Sequence, residues 1–245
     1  ALAIWREQSG SRHPGAASSL NNLALLYREQ GRYGEAEPLY QEALAILRER
    51  LGSRHPDVAS SLNSLAGLYR EQGRYGEAEP LYQEALAIRR EQLGERHPAV
   101  ASSLNNLAAL YEAQGHYGEA ESVYQEALAI LEQQLGPNHP NITASLNSLA
   151  RLYQSSGRTD DAISLYRRSL DIVRLIGNRA GEMHVLGSLG DVYAALEQYE
   201  RAVSLYEQQL VISREIGDQE VEQEALNNLE NIANTPNDSD TFIEE

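Results

Sequence analysis

The dipeptide His-Pro recurs at His13, His55, His97 and His139, each time 42 residues on. A fixed period of this length confines a chain to a pile of like units, because each unit is one supersecondary element repeated. Blocks 13–54 and 55–96 are identical at 35 of 42 positions, so the second is a near-copy of the first. Block 97–138 follows the template closely and 139–181 loosely. A fifth block around Leu186–Ile212 keeps the pattern at a spacing of 40, with Tyr193 answering Tyr153 and Ala202 answering Ala162.

Each block carries two helical periodicities. Leu20, Leu23, Ala24 and Tyr27 fall at i, i+3, i+4 and i+7, which predicts one apolar helix face. Ala36, Tyr40, Ala43 and Leu44 predict a second. Gly31 and Leu51-Gly52 are expected to end the two helices, since glycine suits the residue past a helix end. Pro38 and Pro80 are placed in the first turn of the second helices, where a missing N–H loses no partner. Each His-Pro is read as a turn with the proline near the first helical position. A two-helix hairpin cannot bury both apolar faces alone, whereas stacked hairpins can, and this makes the fold an all-α solenoid.

The run Leu20–Ile46, LNNLALLYREQGRYGEAEPLYQEALAI, then resembles the tetratricopeptide repeat, carried by Leu20, Leu23, Ala24, Tyr27, Gly31, Tyr33, Ala36, Tyr40 and Ala43. Its 42-residue length and the string HP-x-V-A-x-S-L-N-N-L-A are similar to the repeats of kinesin light chains and their bacterial relatives. The fifth block resembles the 40-residue repeats of G-protein-signalling modulators and bacterial repeat proteins. The resemblance implies a right-handed superhelical solenoid of helix-turn-helix repeats with about twelve helices. The expected organisation is a trailing half-repeat over 1–12, four 42-residue repeats over 13–181 and a fifth over 182–220, followed by a capping helix over 221–234 and a disordered acidic tail over 235–245. Ala1–Ile4 aligns with Ala43–Ile46, so the chain is expected to open inside a second helix and is read as the C-terminal piece of a longer protein or as a trimmed form. The stripe Leu2, Ile4, Trp5 is an apolar end through which copies could self-associate.

Composition narrows the function. There is no cysteine, and all 20 basic residues are arginine, which removes thiolate metal sites, cysteine nucleophiles and Schiff-base lysines. A net charge of −16 opposes nucleic-acid binding. No apolar run reaches the roughly 18 residues that span a bilayer, and a cytoplasmic location is expected. The charge is lopsided: residues 1–96 hold 12 Arg and 13 acids, while 97–245 hold 8 Arg and 23 acids. The four His-Pro histidines lie a repeat apart, too far to share a metal ligated at about 2 Å, and are read as turn residues. Gly187-Ser-Leu-Gly190 falls inside a predicted helix, not after a strand as a phosphate loop requires. His184 is the histidine placed on an inner face. Neither a metal, a cofactor nor an enzymatic activity is expected.

At about 100° per residue, Asn21, Leu25 and Arg28 fall on the face of the first helix away from its apolar stripe. In tetratricopeptide arrays this face lines the inner groove. The same slots hold Asn63, Gly67 and Arg70, then Asn105, Ala109 and Glu112, then Asn147, Arg151 and Gln154. A second row runs Asn22, Ser64, Asn106, Ser148. A carboxamide offers both a donor and an acceptor, so this ladder could pair with the peptide groups of an extended chain, as the resemblance to kinesin light chains implies. The other reading of the ladder is passive inheritance through duplication. Gly67 and Ala109 are expected to leave pockets, and Arg28, Arg70 and Arg151 to add charge-assisted contacts, with acidic ligand residues favoured near the N-terminal end. The clamp that grips a C-terminal carboxylate in chaperone-binding repeats is missing, since its slots hold Leu25, Gly67 and Ala109. Two functions remain open: an adaptor that binds a peptide or partner segment, and a sensor array attached to a larger bacterial signalling NTPase or protease.

Overall fold

In the computed structural model, which describes residues 14–235, His-Pro starts helices through its imidazole. His97 has extended backbone angles (φ −75°, ψ 141°), Pro98 takes the first helical position, and the His97 Nδ1 accepts from the Ala99 N–H at 3.1 Å. His55 does the same for Asp57 at 3.2 Å, whereas His139 accepts from Asn141 at 3.1 Å in the turn before a helix that starts only at Ile142. At His55 and His97 the imidazole thereby satisfies one of the helix's four orphan donors, the work usually left to serine, threonine, aspartate or asparagine. Asn178 and Asp218 take over that work further along, accepting from Gly181 and Val221.

Eleven helices follow among the described residues: α1 Pro14–Glu29, α2 Tyr33–Leu51, α3 Pro56–Glu71, α4 Tyr75–Leu93, α5 Pro98–Ala113, α6 Tyr117–Leu135, α7 Ile142–Ser155, α8 Thr159–Leu175, α9 Arg179–Ala195, α10 Tyr199–Ile216 and α11 Gln219–Ala233. No strand occurs among the described residues, and the helices pack as successive antiparallel pairs, so the fold is an all-α tetratricopeptide solenoid. The chain forms two compact units, one ending at Pro137 and one beginning at Asn138. The first holds α1–α6 and the second α7–α11. The expected half-repeat over 1–12 and the tail beyond residue 235 lie outside the described residues.

The turn inside each hairpin is a Schellman motif. Gly31, at φ 70°, donates to the Arg28 carbonyl at 2.9 Å, and the Arg32 N–H reaches back to the Tyr27 carbonyl at 2.8 Å. Arg32 then stacks over the Tyr27 ring at 4.2 Å, as Arg74 does over Tyr69 at 4.0 Å and Arg158 over Tyr153 at 3.9 Å. The second helix therefore begins at Tyr33, earlier than its apolar period suggests. This corrects the expected place of Pro38 and Pro80: both lie in the second turn, where proline leaves a carbonyl four residues back without its helical donor. In α6 the same slot is Ser122, whose hydroxyl bonds the Gly118 carbonyl at 3.1 Å.

Between paired helices the core is a seam of small residues facing a tyrosine. Ala24, Ala66, Ala108 and Ala150 are sealed, as are Tyr40, Tyr82, Tyr124, Tyr166 and Tyr206 on the second helices. In the fifth repeat the seam tightens. A Cβ on Gly190 would lie 2.5 Å from the Tyr206 ring, and one on Gly187 would lie 2.5 Å from the Gln209 amide, so both glycines serve helix packing. Repeats are also tied by ion pairs one unit apart, such as Arg48 to Glu84 and Arg74 to Glu37.

In the second unit, the buried Glu182 accepts from Arg174 at 2.7 Å and from Arg179 at 2.7 Å, while Arg179 also bonds Glu215. Burial alone would push the Glu182 carboxyl up, but the two guanidinium hydrogen bonds overcome it and hold the carboxyl below the usual range.

Two outcomes follow for stability. His97→Ala should cost about 1 kcal/mol in urea unfolding, and His97→Asn, which keeps a cap acceptor, should cost much less. Glu182→Gln should cost about 2 kcal/mol at pH 7. Because the folded-state value is depressed, this contribution is complete above the ordinary carboxylate range near 4.3 and fades as pH falls through the folded value. The gap between wild type and variant, measured across that window, should close on acidification.

Candidate functional site

The first-helix face of the unit that ends at Pro137 begins with three asparagines at the same register. Asn21 on α1, Asn63 on α3 and Asn105 on α5 are each half-buried, where consecutive first helices touch. Two of them sit beside a buried serine of the next repeat: the Ser61 hydroxyl donates to Asn21 Oδ1 at 3.4 Å, and Asn63 Nδ2 donates to the Ser103 hydroxyl at 3.4 Å. Both bonds are long, at the weak end of the range. Asn63 Oδ1 is closed to solvent and has no hydrogen-bond partner, and the same holds for Asn147 Oδ1 on α7 in the second unit. The predicted ladder is thus built into the seam between first helices, with the amide only partly satisfied. In the flanking row, Asn22 is exposed and Asn106 half-buried, and the Ser64 hydroxyl bonds back to the Ser60 carbonyl.

Charge is arranged around the tyrosine hydroxyls. Arg28 is half-buried, its Nε 3.5 Å from a Glu71 carboxylate oxygen, and its guanidinium reaches over Gly67. A Cβ on Gly67 would sit 3.2 Å from Arg28 Nη1 and 3.5 Å from the Tyr82 hydroxyl. The expected pocket at Gly67 is therefore filled, because the long side chain of the preceding repeat lies across it. Its pairing with Glu71, across the repeat boundary, was invisible in the repeat itself. Burial pushes the Tyr82 hydroxyl up, with the positive charges of Arg70 and Arg28 pulling the other way. The Tyr40 hydroxyl is shut off from solvent without a hydrogen-bond partner.

Further along, the same tyrosine slot meets acids. The Tyr124 hydroxyl donates to Glu112 at 3.1 Å, and in the second unit the Tyr206 hydroxyl donates to Asp191 at 2.7 Å. Burial and that bond together push Tyr206 up, and burial also raises the Asp191 carboxyl against the opposing pull of the tyrosine. Arg151 and His184 are exposed on α7 and α9. Of the sequence-predicted residues, then, Asn21, Arg28, Asn63, Arg70 and Asn105 come together on one unit; Asn147 and Arg151 belong to the other.

Sequence reading passed over Arg89. It lies on α4 in the slot that holds Leu47 in the block before and Leu131 in the block after, both buried. Its Nη1 donates to the Ala99 carbonyl at 3.0 Å and to the Ser103 hydroxyl at 2.9 Å, and its Nη2 lies 3.4 Å from the Ser60 hydroxyl. The signal was present as one of the seven differences between two otherwise matching blocks.

No described helix is long and apolar enough to cross a membrane. Among the described residues no three His, Asp or Glu side chains gather as metal ligands.

Comparison with known proteins agrees with this architecture. Tetratricopeptide-repeat profiles match residues 1–49, 16–91, 57–133 and 119–175, and another matches 185–220. Curated proteins returned no match. Among solved structures, BtubC (BKLC) from P. vanneervenii is 27% identical with a TM-score of 0.71, over 89% of this chain and 87% of that one. Nearly identical TPR-like repeats assigned to a kinesin light chain of Podosopora anserina are 30% identical with a TM-score of 0.66, over 84% of this chain and 99% of that one. Aspartyl phosphate phosphatase F from Bacillus subtilis shares the fold alone, at 15% identity and a TM-score of 0.75 over 92% of this chain and 57% of that one. Tetratricopeptide folds are typically non-catalytic scaffolds, and repeats of this kind make a protein–protein interaction module. The chain belongs to the tetratricopeptide-repeat family and resembles the repeats of kinesin light chains.

Proposed function

We propose that the first-helix face of residues 14–137 seats an extended segment of a protein partner, in the manner of an adaptor. The observation that carries this reading is the row Asn21, Asn63, Asn105: carboxamides at one register on three neighbouring helices, half-open to solvent. The serine bonds at Asn21 and Asn63 are long ones. An amide held this loosely can exchange a long serine bond for a better one to a peptide group, at little cost to the fold. Helices packed about 8–10 Å apart offer one such amide for every few residues of a strand rising about 3.3 Å each. Asn22, Asn106 and, in the second unit, Asn147 and Arg151 extend the candidate set.

The partner's charge pattern follows from the tyrosine slots. Within the first unit the Arg28 guanidinium reaches over Gly67 beside the Tyr82 hydroxyl, whereas Glu112 accepts from Tyr124. The same slot carries arginine in the first two repeats, Arg28 and Arg70, and a carboxylate, Glu112, in the third. Acidic residues of the partner are favoured near Arg28 and Arg70, and basic or neutral ones near Glu112.

The test is direct. Asn63→Ala combined with Asn105→Ala should weaken binding of peptides selected on the intact chain by roughly tenfold to a hundredfold, at about 0.5–1.5 kcal/mol per lost hydrogen bond. Helicity by circular dichroism should stay the same. Undiminished affinity in the folded double variant would move the binding face elsewhere. On peptide arrays, Arg70→Glu should reduce the preference for acidic residues; an unchanged preference would remove the charge pattern.

A further inference from the structure

We propose that Arg89, with Ser60, Ser103 and Asn63, forms a receiving site for a carboxylate carried by the docked peptide. This rests on the reading of the first-helix face given above and adds to it a specificity residue outside the first helices.

The argument begins with an out-of-place cation. The slots one period before and after Arg89 hold Leu47 and Leu131, and a further period on, Val173; all three are buried. Arginine in that slot brings a guanidinium into a seam designed for an aliphatic side chain, which is costly without compensation. Its hydrogen bonds are all to neutral oxygens: the Ala99 carbonyl and the Ser103 and Ser60 hydroxyls. No carboxylate pairs with it within 4.0 Å among the described residues, although this unit ties most of its other arginines to glutamates. Burial consequently lowers its pKa with no nearby acid to offset the effect.

The geometry is that of a half-filled fork. Nη1 is anchored to buried oxygens of α5, while Nη2 points to Ser60, which is exposed. A guanidinium has five N–H donors in a rigid plane, and only three contacts are made here, the one at Nη2 long. The Nη2 edge can therefore take a carboxylate oxygen, with the Ser60 hydroxyl as a second donor. The site is coupled to the ladder: Ser103 accepts from Arg89 and lies 3.4 Å from the Asn63 amide. With its lone pair engaged by Arg89, the Ser103 hydroxyl is free to donate to a flipped Asn63 oxygen, as Ser61 donates to Asn21. A single hydroxyl, that of Ser103, thus separates this cation from Asn63. A carboxylate is the fitting group, since its negative charge completes the positive charge that the neutral partners of Arg89 leave uncompensated.

Two measurements on the intact chain test the proposal. In the first, acetate is titrated in a phosphate-free buffer while the guanidinium nitrogen resonances are followed by NMR. The Arg89 resonances, identified by their loss in Arg89→Leu, should shift saturably. In the second, a displayed library of ten-residue peptides is selected on wild type and on Arg89→Leu. Wild type should enrich aspartate or glutamate at one position, and the variant should lose that enrichment while keeping the rest of the motif. The best wild-type peptide should bind the variant about tenfold to a hundredfold more weakly. Leucine is native to this slot in the neighbouring blocks, so the variant should melt no lower than wild type; Arg89→Gln serves as a second uncharged variant. An Arg89 signal that acetate does not shift saturably overturns the proposal whatever the library yields. Acidic enrichment that survives Arg89→Leu overturns it as well. A saturable acetate shift with no peptide selected would uphold the anion site and sink the peptide-binding reading instead.

Discussion

The fold depends on one contact made in every repeat: a buried tyrosine of the second helix set against a small residue of the first. Tyr40, Tyr82, Tyr124, Tyr166 and Tyr206 are all sealed, as are Ala24, Ala66, Ala108 and Ala150 on the partner helices. Where the partner is Gly190, the Tyr206 ring comes so near that no Cβ would fit. The close approach has a second effect. It drives the phenolic oxygen through the hairpin to the first-helix face, where it must meet something polar or remain unsatisfied. The residue that fixes the packing thus also sets the polarity of the candidate binding face. Glu112 and Asp191 answer that demand in two repeats, whereas in the first repeat the Tyr40 hydroxyl has no hydrogen-bond partner.

What was legible in the sequence was whatever the period enforces. The apolar stripe around Leu20 and Ala24, the second stripe around Ala36 and Tyr40, and the glycine stops at Gly31 and Gly52 are local features with 3.6-residue spacing, and each stands where expected. The helix start at Tyr33 was misplaced because the first turn, Tyr-Gly-Glu, has no apolar period to announce it. The His-Pro histidines were read as turn residues, and His55, His97 and His139 do stand at turns, while His13 lies outside the described residues. Their capping bonds were missed because imidazole is an uncommon cap, so propensity alone gives no reason to look for it.

The site was legible only in part, and the division is physical. Residue types at one register can be read by adding 42, which places Asn21, Asn63 and Asn105 together. Contacts between repeats cannot be read that way, since they depend on how far a long side chain reaches. Within its own repeat Arg28 has Glu29 and Glu35 close by in sequence, but it extends to Glu71 and covers Gly67 from the repeat before. The serines that contact Asn21 and Asn63 lie 40 residues further on, a separation that a within-repeat reading does not survey.

Near-identity between repeats changes how their differences should be weighed. When 35 of 42 positions are copied, each of the remaining seven is a place where one repeat has become individual. Some of these are surface changes with no consequence for packing, such as Ser53 against Glu95. Leu47 against Arg89 is different in kind, because a buried apolar slot has been given a charge that the neutral oxygens around it only partly compensate. Such a change lowers the stability of the repeat in isolation unless something outside the chain completes the charge. Slots 28, 70 and 112, running Arg, Arg, Glu, individualise the same face by sign, and two of the three have an internal partner: Glu71 for Arg28, and the Tyr124 hydroxyl for Glu112. A solenoid of copies acquires direction along its face through such exceptions. An arginine set into an apolar slot among neutral oxygens is the exception whose chemistry most requires a partner.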